Sequence, residues 1–365
     1  MSVQPYVDPA LTLGILLAGG RGSRLHELCD EECKPAVPFA GGRLVDLTLA
    51  NVVRSKLDRL MVATQYKPRS LETYLERIWA EAFPSGLVPR YGPFLLPGGY
   101  RGTADAVRAN LPEIMASGAR YALILSADHV YQMDYRPMIA EHLASGALIT
   151  VAVDKVPLAL ASGFGVLSTA SDGRITRFTE KPERPEPAPD APDQALVSMG
   201  VYVIDIAYLA AVLLDPEMQD FGKDILPRAV AGGVARSYRA ASSTDKPFYW
   251  RDVGTLDSYR AAALDCLEPG RAPVDLPIPL ARHDARLTAA ETGTVLLPAA
   301  QIARGARVTN AIIATGTRVP PDLVIGEDPE EDRRWFRCAP QGTVLVTERM
   351  LWQRALRRRP VYRAS

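Results

Sequence analysis

Two motifs near the N-terminus are the most informative part of this sequence: Gly14-Ile-Leu-Leu-Ala-Gly-Gly-Arg-Gly-Ser-Arg-Leu25 and Lys34-Pro-Ala-Val37. The apolar run Leu13–Leu17 predicts a buried strand, and the glycines and arginines after it predict a loop. Glycine lets backbone N–H groups approach an anion closely, and arginine adds a fork of donors. The segment therefore predicts a loop that holds a polyphosphate. It lacks the Gly-Lys-Ser/Thr ending of a P-loop, and Leu25 stands where a dinucleotide fingerprint has its third glycine.

Composition narrows the class of protein. With 365 residues, 47% of them hydrophobic, the chain can bury one large core or two smaller ones. A formal net charge of zero gives no indication of nucleic-acid binding or of attraction to a membrane. The sequence contains neither a long apolar run nor a signal-peptide pattern, and its four cysteines are too scattered for a disulfide framework. We expect a cytoplasmic protein with no nucleic-acid or membrane partner.

The N-terminal two thirds of the chain alternates strand-like and helix-like segments, which predicts an α/β fold with a mostly parallel, mixed sheet. The apolar runs that predict strands are Leu13–Leu17, Arg59–Thr64, Tyr121–Ser126, Ile149–Val153 and Gly200–Ile204. Helices are predicted at Ser70–Glu81 and Thr103–Ser117. The proline-rich stretch Pro182–Pro192 predicts an exposed loop.

The pattern changes after a second proline-rich stretch, Glu268–Arg282. Aliphatic residues then recur at about every sixth position, with glycines between them: Val295, Ile302, Val308, Ile313, Val319 and Ile325. This spacing is typical of a hexapeptide-repeat β-helix, although these residues alone also allow a generic small β-domain. We expect a catalytic α/β domain over residues 1–266, a linker over 267–290 and a short β-helix over 291–365. Stacked coils of this kind commonly serve oligomerisation.

Two aspartates follow or end strand-like runs. Asp128 comes directly after Tyr121–Ser126, and Asp252 lies just before a helix for which Thr255 is the predicted N-cap. Ligands of open α/β sheets lie at the carboxyl ends of strands, and Mg²⁺ takes carboxylate oxygens together with water and phosphate. Asp252 alone would be a capping or loop residue. Beside a phosphate loop, the two carboxylates predict a pair of Mg²⁺ ligands, and His129, next to Asp128, can simply be a second-shell partner.

Further polar residues lie at the ends of other predicted strands. In Phe178-Thr-Glu180-Lys181-Pro182, Lys181 suits a sugar phosphate and Glu180 suits sugar hydroxyls, although a surface ion pair is the alternative. Tyr100-Arg-Gly-Thr103 predicts a turn into a helix whose Thr103 and backbone N–H groups face a nucleotide. Ser198-Met-Gly200 and Asp220-Phe-Gly-Lys-Asp224 indicate either a structural or a functional role.

Taken together, the motifs resemble the ADP-glucose pyrophosphorylases (glucose-1-phosphate adenylyltransferases) of bacterial glycogen synthesis. The strings that carry the resemblance occur in family order: Leu17–Leu25, Lys34–Val37, Ala63–Tyr66, Tyr100–Ala106, Glu180–Pro182, Ser198–Tyr202, Phe221–Asp224, Tyr249–Thr255, Gly326–Pro329 and Val344–Thr347. The resemblance implies a nucleotide-binding α/β domain, a left-handed β-helix, and a homo-oligomer, either tetramer or dimer.

The resemblance also implies roles for individual residues. Arg24 and Lys34 would hold the triphosphate and Lys181 the sugar phosphate, and with Asp128 they form the expected catalytic set. Asp128 and Asp252 would bind Mg²⁺, while Glu180 and Ser198 would bind sugar hydroxyls. The residues expected at the nucleotide are Gly19, Gly20, Gly22, Gln65, Tyr100, Gly102 and Thr103. The implied reaction is an in-line attack of the sugar phosphate on the α-phosphorus of ATP, which expels pyrophosphate.

The chain departs from the family pattern at several places. Its β-helix is short, the loop Asp30–Cys33 is acidic where the family is usually basic, and Pro89–Gly99 lacks the usual polar residues. The acidic loop would repel phosphorylated activators, so we expect no activation by a sugar bisphosphate.

These departures leave a second substrate open, a C7-cyclitol 1-phosphate of the valienol type in aminocyclitol antibiotic biosynthesis, activated with ATP or GTP. An inactive regulatory subunit is a remote alternative, because Arg24, Lys34, Asp128, Lys181 and Asp252 are all retained.

Overall fold

The computed structural model describes residues 8–240, 247–268, 272–277 and 291–358. The chain forms two compact units, each of several segments. The first unit comprises Met1–Gly20, Thr48–Ala127 and Gln132–Trp250, and the second comprises Arg21–Leu47, Asp128–Tyr131 and Arg251–Ser365. The expected division at residues 1–266, 267–290 and 291–365 stays a prediction, and most of its linker lies outside the described residues.

The elements are numbered along the chain. The strands are β1 (Thr12–Ala18), β2 (Pro38–Phe39), β3 (Gly42–Arg43), β4 (Arg59–Thr64), β5 (Gly86–Tyr91), β6 (Tyr121–Ser126), β7 (His129–Tyr131), β8 (Ile149–Pro157), β9 (Gly165–Thr169), β10 (Ile175–Glu180), β11 (Gln194–Asp205), β12 (Ala235–Arg239), β13 (Trp250–Asp252), β14 (Val295–Leu296), β15 (Gln301–Ile302), β16 (Arg307–Val308), β17 (Ala311–Ile313), β18 (Arg318–Val319), β19 (Val324–Ile325), β20 (Arg337–Cys338) and β21 (Val344–Val346). The α-helices are α1 (Val45–Arg54), α2 (Arg69–Tyr74), α3 (Gly92–Leu95), α4 (Thr103–Ala109), α5 (Leu111–Ala116), α6 (Arg136–Ser145), α7 (Ile206–Leu213), α8 (Leu226–Ala231), α9 (Leu256–Leu267), α10 (Pro329–Trp335) and α11 (Glu348–Arg358). Short 3₁₀ or π turns lie at Pro9–Leu11, Ser23–Cys29, Lys34–Ala36, Leu75–Trp79, Ala80–Ala82, Leu158–Gly163 and Phe221–Ile225.

A mixed sheet forms the centre of the first unit, with strand order β10-β9-β11-β6-β1-β4-β5. Strands β6, β1, β4 and β5 run parallel, whereas β11 is antiparallel to β6, and β8 joins β11 to β12. Strands β1 and β6 are buried along most of their length, as expected for parallel strands covered on both faces. The predicted α/β class and mixed sheet are confirmed.

The C-terminal part of the second unit is a three-sided coil. Parallel pairs stack Val295 on Ile312, Gln301 on Arg318 and Arg307 on Val324, so each coil takes 17 residues. Strand β21 adds the start of a further coil on β17. Five of the six predicted aliphatic positions are buried, namely Val295, Val308, Ile313, Val319 and Ile325, and Ile302 is partly buried. This is the arrangement of a left-handed β-helix built from hexapeptide repeats, and it confirms that prediction over the alternative of a generic small β-domain.

Helix α9 attaches to this coil through side chains near its N-terminus. Asp257 accepts hydrogen bonds from the backbone N–H groups of Gln341 and Thr343, at 3.0 and 3.2 Å. Arg260 donates to the Thr343 hydroxyl at 3.0 Å and to the carbonyl of Gly293 at 2.8 Å. Thr255 begins α9 with a capping box to Ser258, so the predicted N-cap is confirmed.

Strand predictions are more accurate than helix predictions here. Arg59–Thr64 and Tyr121–Ser126 match β4 and β6 residue for residue, while β8 and β11 extend beyond their predicted cores. The predicted helix Thr103–Ser117 is two helices that meet at Asn110, because Pro112 has no N–H to donate and its ring excludes the carbonyl four residues before it. Among the described helices, none has the length and apolar character that crossing a membrane requires.

A buried histidine makes the stability of the first unit pH-dependent. His142 is 1% exposed, and its Nδ1 lies 2.8 Å from the Thr150 hydroxyl. Burial lowers the pKa of His142 from 6.5 to about 4; Asp205 opposes this shift and Arg120 adds to it. Since the histidine of the unfolded chain keeps its ordinary pKa, the unfolded state binds the additional proton as the pH falls from about 6.5 towards 4. Stability is therefore lost over that window.

We predict that the wild-type protein loses about 2 kcal/mol more unfolding free energy than His142→Asn between about pH 7 and pH 5. Asparagine does not titrate and can still bond to a hydroxyl at this position. Urea unfolding of both proteins at the two pH values measures the difference. Equal losses in the two proteins would mean that His142 does not titrate differently on folding.

Candidate active site

Gly22 shapes the glycine-rich segment of the second unit that the sequence predicts to bind phosphate. Its φ of +66° lies in the left-handed region, and it precedes the turn Ser23–Cys29. A Cβ at this position would lie 2.7 Å from Cys29 Sγ and 2.8 Å from Lys34 Cβ. The backbone of the loop therefore lies directly against Lys34. Leu25 and Cys29 are buried and anchor the turn, and burial raises the pKa of the Cys29 thiol to about 12.

Lys34 is a buried cation between two carboxylates. Its Nζ lies 2.6 Å from Asp128 Oδ2 and 3.6 Å from Asp252 Oδ1, and the residue is only 6% exposed. Burial by itself would lower the pKa of Lys34, but Asp128 and Asp252 together outweigh this effect, so the pKa lies above its usual range. The lysine therefore stays charged.

Strand pairing brings the two aspartates together. Asp128 lies in the bend before β7, Asp252 is the last residue of β13, and β7 and β13 form a two-stranded sheet. The ring of His129 lies beside both carboxylates, with Nε2 3.6 Å from Asp128 Oδ1 and 3.8 Å from Asp252 Oδ1. One ligand atom from each of these three residues lies within 4.8 Å of the others.

Arg24 also reaches this cluster. A Cβ on Gly254 would lie 2.8 Å from Arg24 Nη2 and 2.8 Å from Asp252 Oδ2, so both side chains contact the same glycine. The second unit thus brings together Arg24, Lys34, Asp128 and Asp252, four residues that were singled out from the sequence. Gly254 was not among the residues predicted for the site, although the motif Asp252-Val-Gly-Thr255 contains it.

In the first unit, the side-chain amide of Gln65 is hydrogen-bonded to the backbone of Tyr100. The Gln65 amide donates to the Tyr100 carbonyl at 3.1 Å and accepts from the Tyr100 N–H. Gly19, Gly92 and Gly99 surround Gln65 so closely that a Cβ on Gly92 or Gly99 would lie within 2.8 Å of its Oε1. Both polar atoms of the Gln65 amide are therefore used to hold the turn at Tyr100.

Gly102 and Thr103 pack against the segment that leads into Phe221–Ile225. A Cβ on Gly102 would lie 2.3 Å from the Gln219 carbonyl oxygen, so only glycine fits. The Thr103 hydroxyl donates to Asp220 Oδ2 at 3.0 Å and accepts from the Phe221 N–H at 3.0 Å. The hydroxyl of Thr103 is thus engaged within the first unit.

In the first unit, Tyr202 lies close to both Ser198 and Glu180. The Ser198 hydroxyl donates to the Tyr202 oxygen at 3.4 Å, and Tyr202 has its pKa raised by burial and further by the Glu180 charge. A Cβ on Gly222 would lie 2.5 Å from Glu180 Oε2, so this glycine leaves space for the carboxylate. Lys181 has a φ of +46°, is mostly exposed, and lies 3.4 Å from Glu180.

We predict that Gly22→Ala lowers the unfolding free energy by about 2 kcal/mol or more, because alanine adds left-handed strain and two close contacts. Gly20→Ala is the matched control in the same loop, since a Cβ there meets no atom within 4 Å. Thermal unfolding of both variants measures the difference. Equal melting temperatures would show that the loop can relax away from Lys34.

The sequence matches two protein-family models. The family model described as nucleotidyl transferase matches residues 13–268, and the model described as GlmU-like, C-terminal hexapeptide, matches residues 283–346. The first match covers more than half of the chain.

Close relatives span almost the whole chain. The glucose-1-phosphate adenylyltransferase of Novosphingobium aromaticivorans is 37% identical over 96% of this chain and 99% of its own length. The enzymes of the same name from Granulibacter bethesdensis and Hydrogenovibrio crunogenus are 38% and 36% identical, over 93% and 94% of this chain and 97% and 95% of theirs. The alignment with the Novosphingobium protein extends over 415 positions, whereas this chain has 365 residues, so that relative has at least 50 positions without a counterpart here. The chain belongs to the nucleotidyl transferase family and, within it, to the glucose-1-phosphate adenylyltransferases.

Proposed function

We propose that the protein transfers the adenylyl group of ATP to glucose 1-phosphate, giving ADP-glucose and pyrophosphate. The relatives carry the name of this activity, and this chain aligns with them over nearly their full lengths. Both facts support the choice of substrates. The observation that carries the chemistry is the buried Lys34 cation between Asp128 and Asp252, with Arg24 beside Asp252. Such a cluster of fixed charges suits a reaction in which negative charge moves along a triphosphate.

The reaction is a displacement at phosphorus. An oxygen of the glucose 1-phosphate forms a new bond to the α-phosphorus of ATP, and the bond from that phosphorus to the α–β bridging oxygen breaks. The electron pair leaves with pyrophosphate, so no protein nucleophile, oxidant or reductant takes part. The protein contributes position and charge: Arg24 and Lys34 hold the triphosphate and neutralise the charge that develops on the leaving group.

Asp128 and Asp252 would hold a divalent cation, and the chemistry of their donors fits Mg²⁺. Both offer carboxylate oxygens, the ligands that Mg²⁺ prefers. Their charges are held in place by Lys34, which bonds closely to only one oxygen of Asp128. When bound, Mg²⁺ would neutralise phosphate charge and polarise the α-phosphate. Lys34 offsets the repulsion between the two carboxylates.

The glycines and the turn at Tyr100 would form the nucleotide side. Gly19, Gly20 and Gly22 let backbone N–H groups approach phosphate oxygens. Gln65 acts by holding the Tyr100 turn rather than by a free amide, because both ends of its amide bond to that backbone. Thr103 likewise acts through its hydrogen bonds to Asp220 and Phe221 rather than by a free hydroxyl. The backbone of Gly102 would face the nucleotide.

Glu180, Lys181 and Ser198 would form the sugar side. Glu180 would accept a hydrogen bond from a sugar hydroxyl, and its carboxylate lies against Gly165 and Gly222, which carry no side chains. Lys181 is exposed enough to turn from Glu180 towards a sugar phosphate. The hexapeptide coil would join copies of this chain into a homo-oligomer, as stacked coils commonly do.

The test is pyrophosphate release with Mg²⁺ and glucose 1-phosphate, compared across ATP, GTP, UTP and dTTP. We expect turnover with ATP to exceed that with each other nucleotide by about tenfold or more. Turnover with valienol 1-phosphate in place of glucose 1-phosphate, and none with the sugar, would favour the cyclitol substrate. An absence of turnover with either acceptor would overturn the proposal in favour of an inactive subunit.

We predict that Glu180→Gln raises KM for glucose 1-phosphate about tenfold or more and leaves KM for ATP nearly unchanged, because only the sugar loses a charged acceptor. Glu186→Gln is the control; Glu186 is exposed and pairs with Arg177. Steady-state kinetics with each substrate varied in turn measures both constants. A rise in KM for ATP alone would place Glu180 on the nucleotide instead.

A further inference from the structure

We propose that His129 is a third protein ligand, through Nε2, of the divalent cation that Asp128 and Asp252 hold. This inference rests on the proposed function, which assigns the cation to the two aspartates, and adds the imidazole to them. It gives the site a nitrogen donor, which predicts a preference for Mn²⁺ and other transition-metal ions over Mg²⁺ that two carboxylates alone would not give.

The spacing of the three ligand atoms supports this set. Donors about 2.1 Å from a shared cation and about 90–120° apart are separated by about 3.0–3.7 Å. His129 Nε2 lies 3.6 Å from Asp128 Oδ1, at the upper end of that range, and 3.8 Å from Asp252 Oδ1, just above it. Neither distance is short enough for a hydrogen bond, so the ring does not bond directly to either of these oxygens.

Lys34 and His129 approach different oxygens of Asp128. Its ammonium group lies 2.6 Å from Asp128 Oδ2, whereas His129 faces Oδ1 of the same carboxylate. The two oxygens of Asp128 are therefore divided between the lysine and the imidazole. Asp252 Oδ1 is near both groups, at 3.6 Å from Lys34 and 3.8 Å from His129.

The backbone keeps the imidazole in place. His129 begins β7, which pairs with β13, so the ring is carried by the same small sheet that ends at Asp252. Asp128 lies in the bend before β7 rather than in the strand. The usual alternation of neighbouring side chains therefore does not separate it from His129. The His129 side chain is 12% exposed, which limits its freedom to swing away.

The experiment uses the full chain with Mn²⁺ and inorganic pyrophosphate, which contains no nitrogen. Electron spin-echo envelope modulation of bound Mn²⁺ reports nitrogen atoms coordinated to the ion. We expect ¹⁴N modulation in unlabelled protein and a ¹⁵N pattern in protein grown with ¹⁵N-imidazole histidine. The modulation disappears in His129→Gln, and Mn²⁺ affinity falls about tenfold or more while Mg²⁺ affinity changes less. His26→Gln, an exposed histidine, is the control that keeps the signal.

The labelled wild-type protein keeps the test decisive even if His129→Gln folds poorly. Mn²⁺ that binds without histidine modulation, and whose binding is lost in Asp128→Asn, would overturn the His129 ligand and leave the aspartate site intact. Mn²⁺ binding that is unchanged in both Asp128→Asn and Asp252→Asn would overturn the metal assignment of the proposed function as well.

Discussion

The second unit depends on one buried lysine held between two carboxylates. Lys34 would be costly to bury alone, and Asp128 and Asp252 would repel each other without it. Their distances of 2.6 and 3.6 Å from Nζ make the three charges a single cluster. The glycines follow from this requirement: Gly22 allows the loop to lie against Lys34, and Gly254 leaves space for Arg24 beside Asp252.

The hexapeptide coil belongs to the same compact unit as these charges. Asp257 and Arg260 attach helix α9 to the coil, and Asp252 lies a few residues before that helix. Arg337 in β20 makes a bidentate ion pair with Glu27, at 2.7 and 3.3 Å, in the turn that carries Arg24. In the acidic stretch after this turn, Glu32 pairs with Arg43 at 3.3 Å. Within this unit, the coil therefore supports the segments that carry the charges, in addition to any role in oligomerisation.

Much of the architecture could be predicted from local sequence. Buried parallel strands are continuous apolar runs, which is why Arg59–Thr64 and Tyr121–Ser126 were found with their true ends. The helix predicted at Ser70–Glu81 is instead α2 followed by a π turn at Leu75–Trp79, a change in winding that apolar spacing does not encode. The break at Asn110 had a local signal in Pro112, which the apolar periodicity outweighed.

The sequence singled out the residues of the charged cluster but not the contacts between them. Motif strings identified Arg24, Lys34, Asp128 and Asp252, but the approach of Arg24 to Gly254 joins positions 230 residues apart, and no local pattern encodes it. Gln65 and Thr103 stay predictions at the nucleotide, and the sequence did not indicate that their polar groups bond to Tyr100 and to Asp220 and Phe221. A side chain's partners depend on tertiary packing, which a single sequence does not state.

A double-mutant cycle on Lys34 and Asp128 tests the central claim most directly. Lys34→Met, Asp128→Asn and the double variant would be unfolded in urea with a chelator present, so that no divalent cation replaces the lysine. We predict a coupling energy of about 2 kcal/mol or more, because Asp128→Asn leaves the buried Lys34 without its closest partner and Lys34→Met leaves two neighbouring carboxylates without their cation. A coupling below about 0.5 kcal/mol would contradict the account, since the two residues would then act independently.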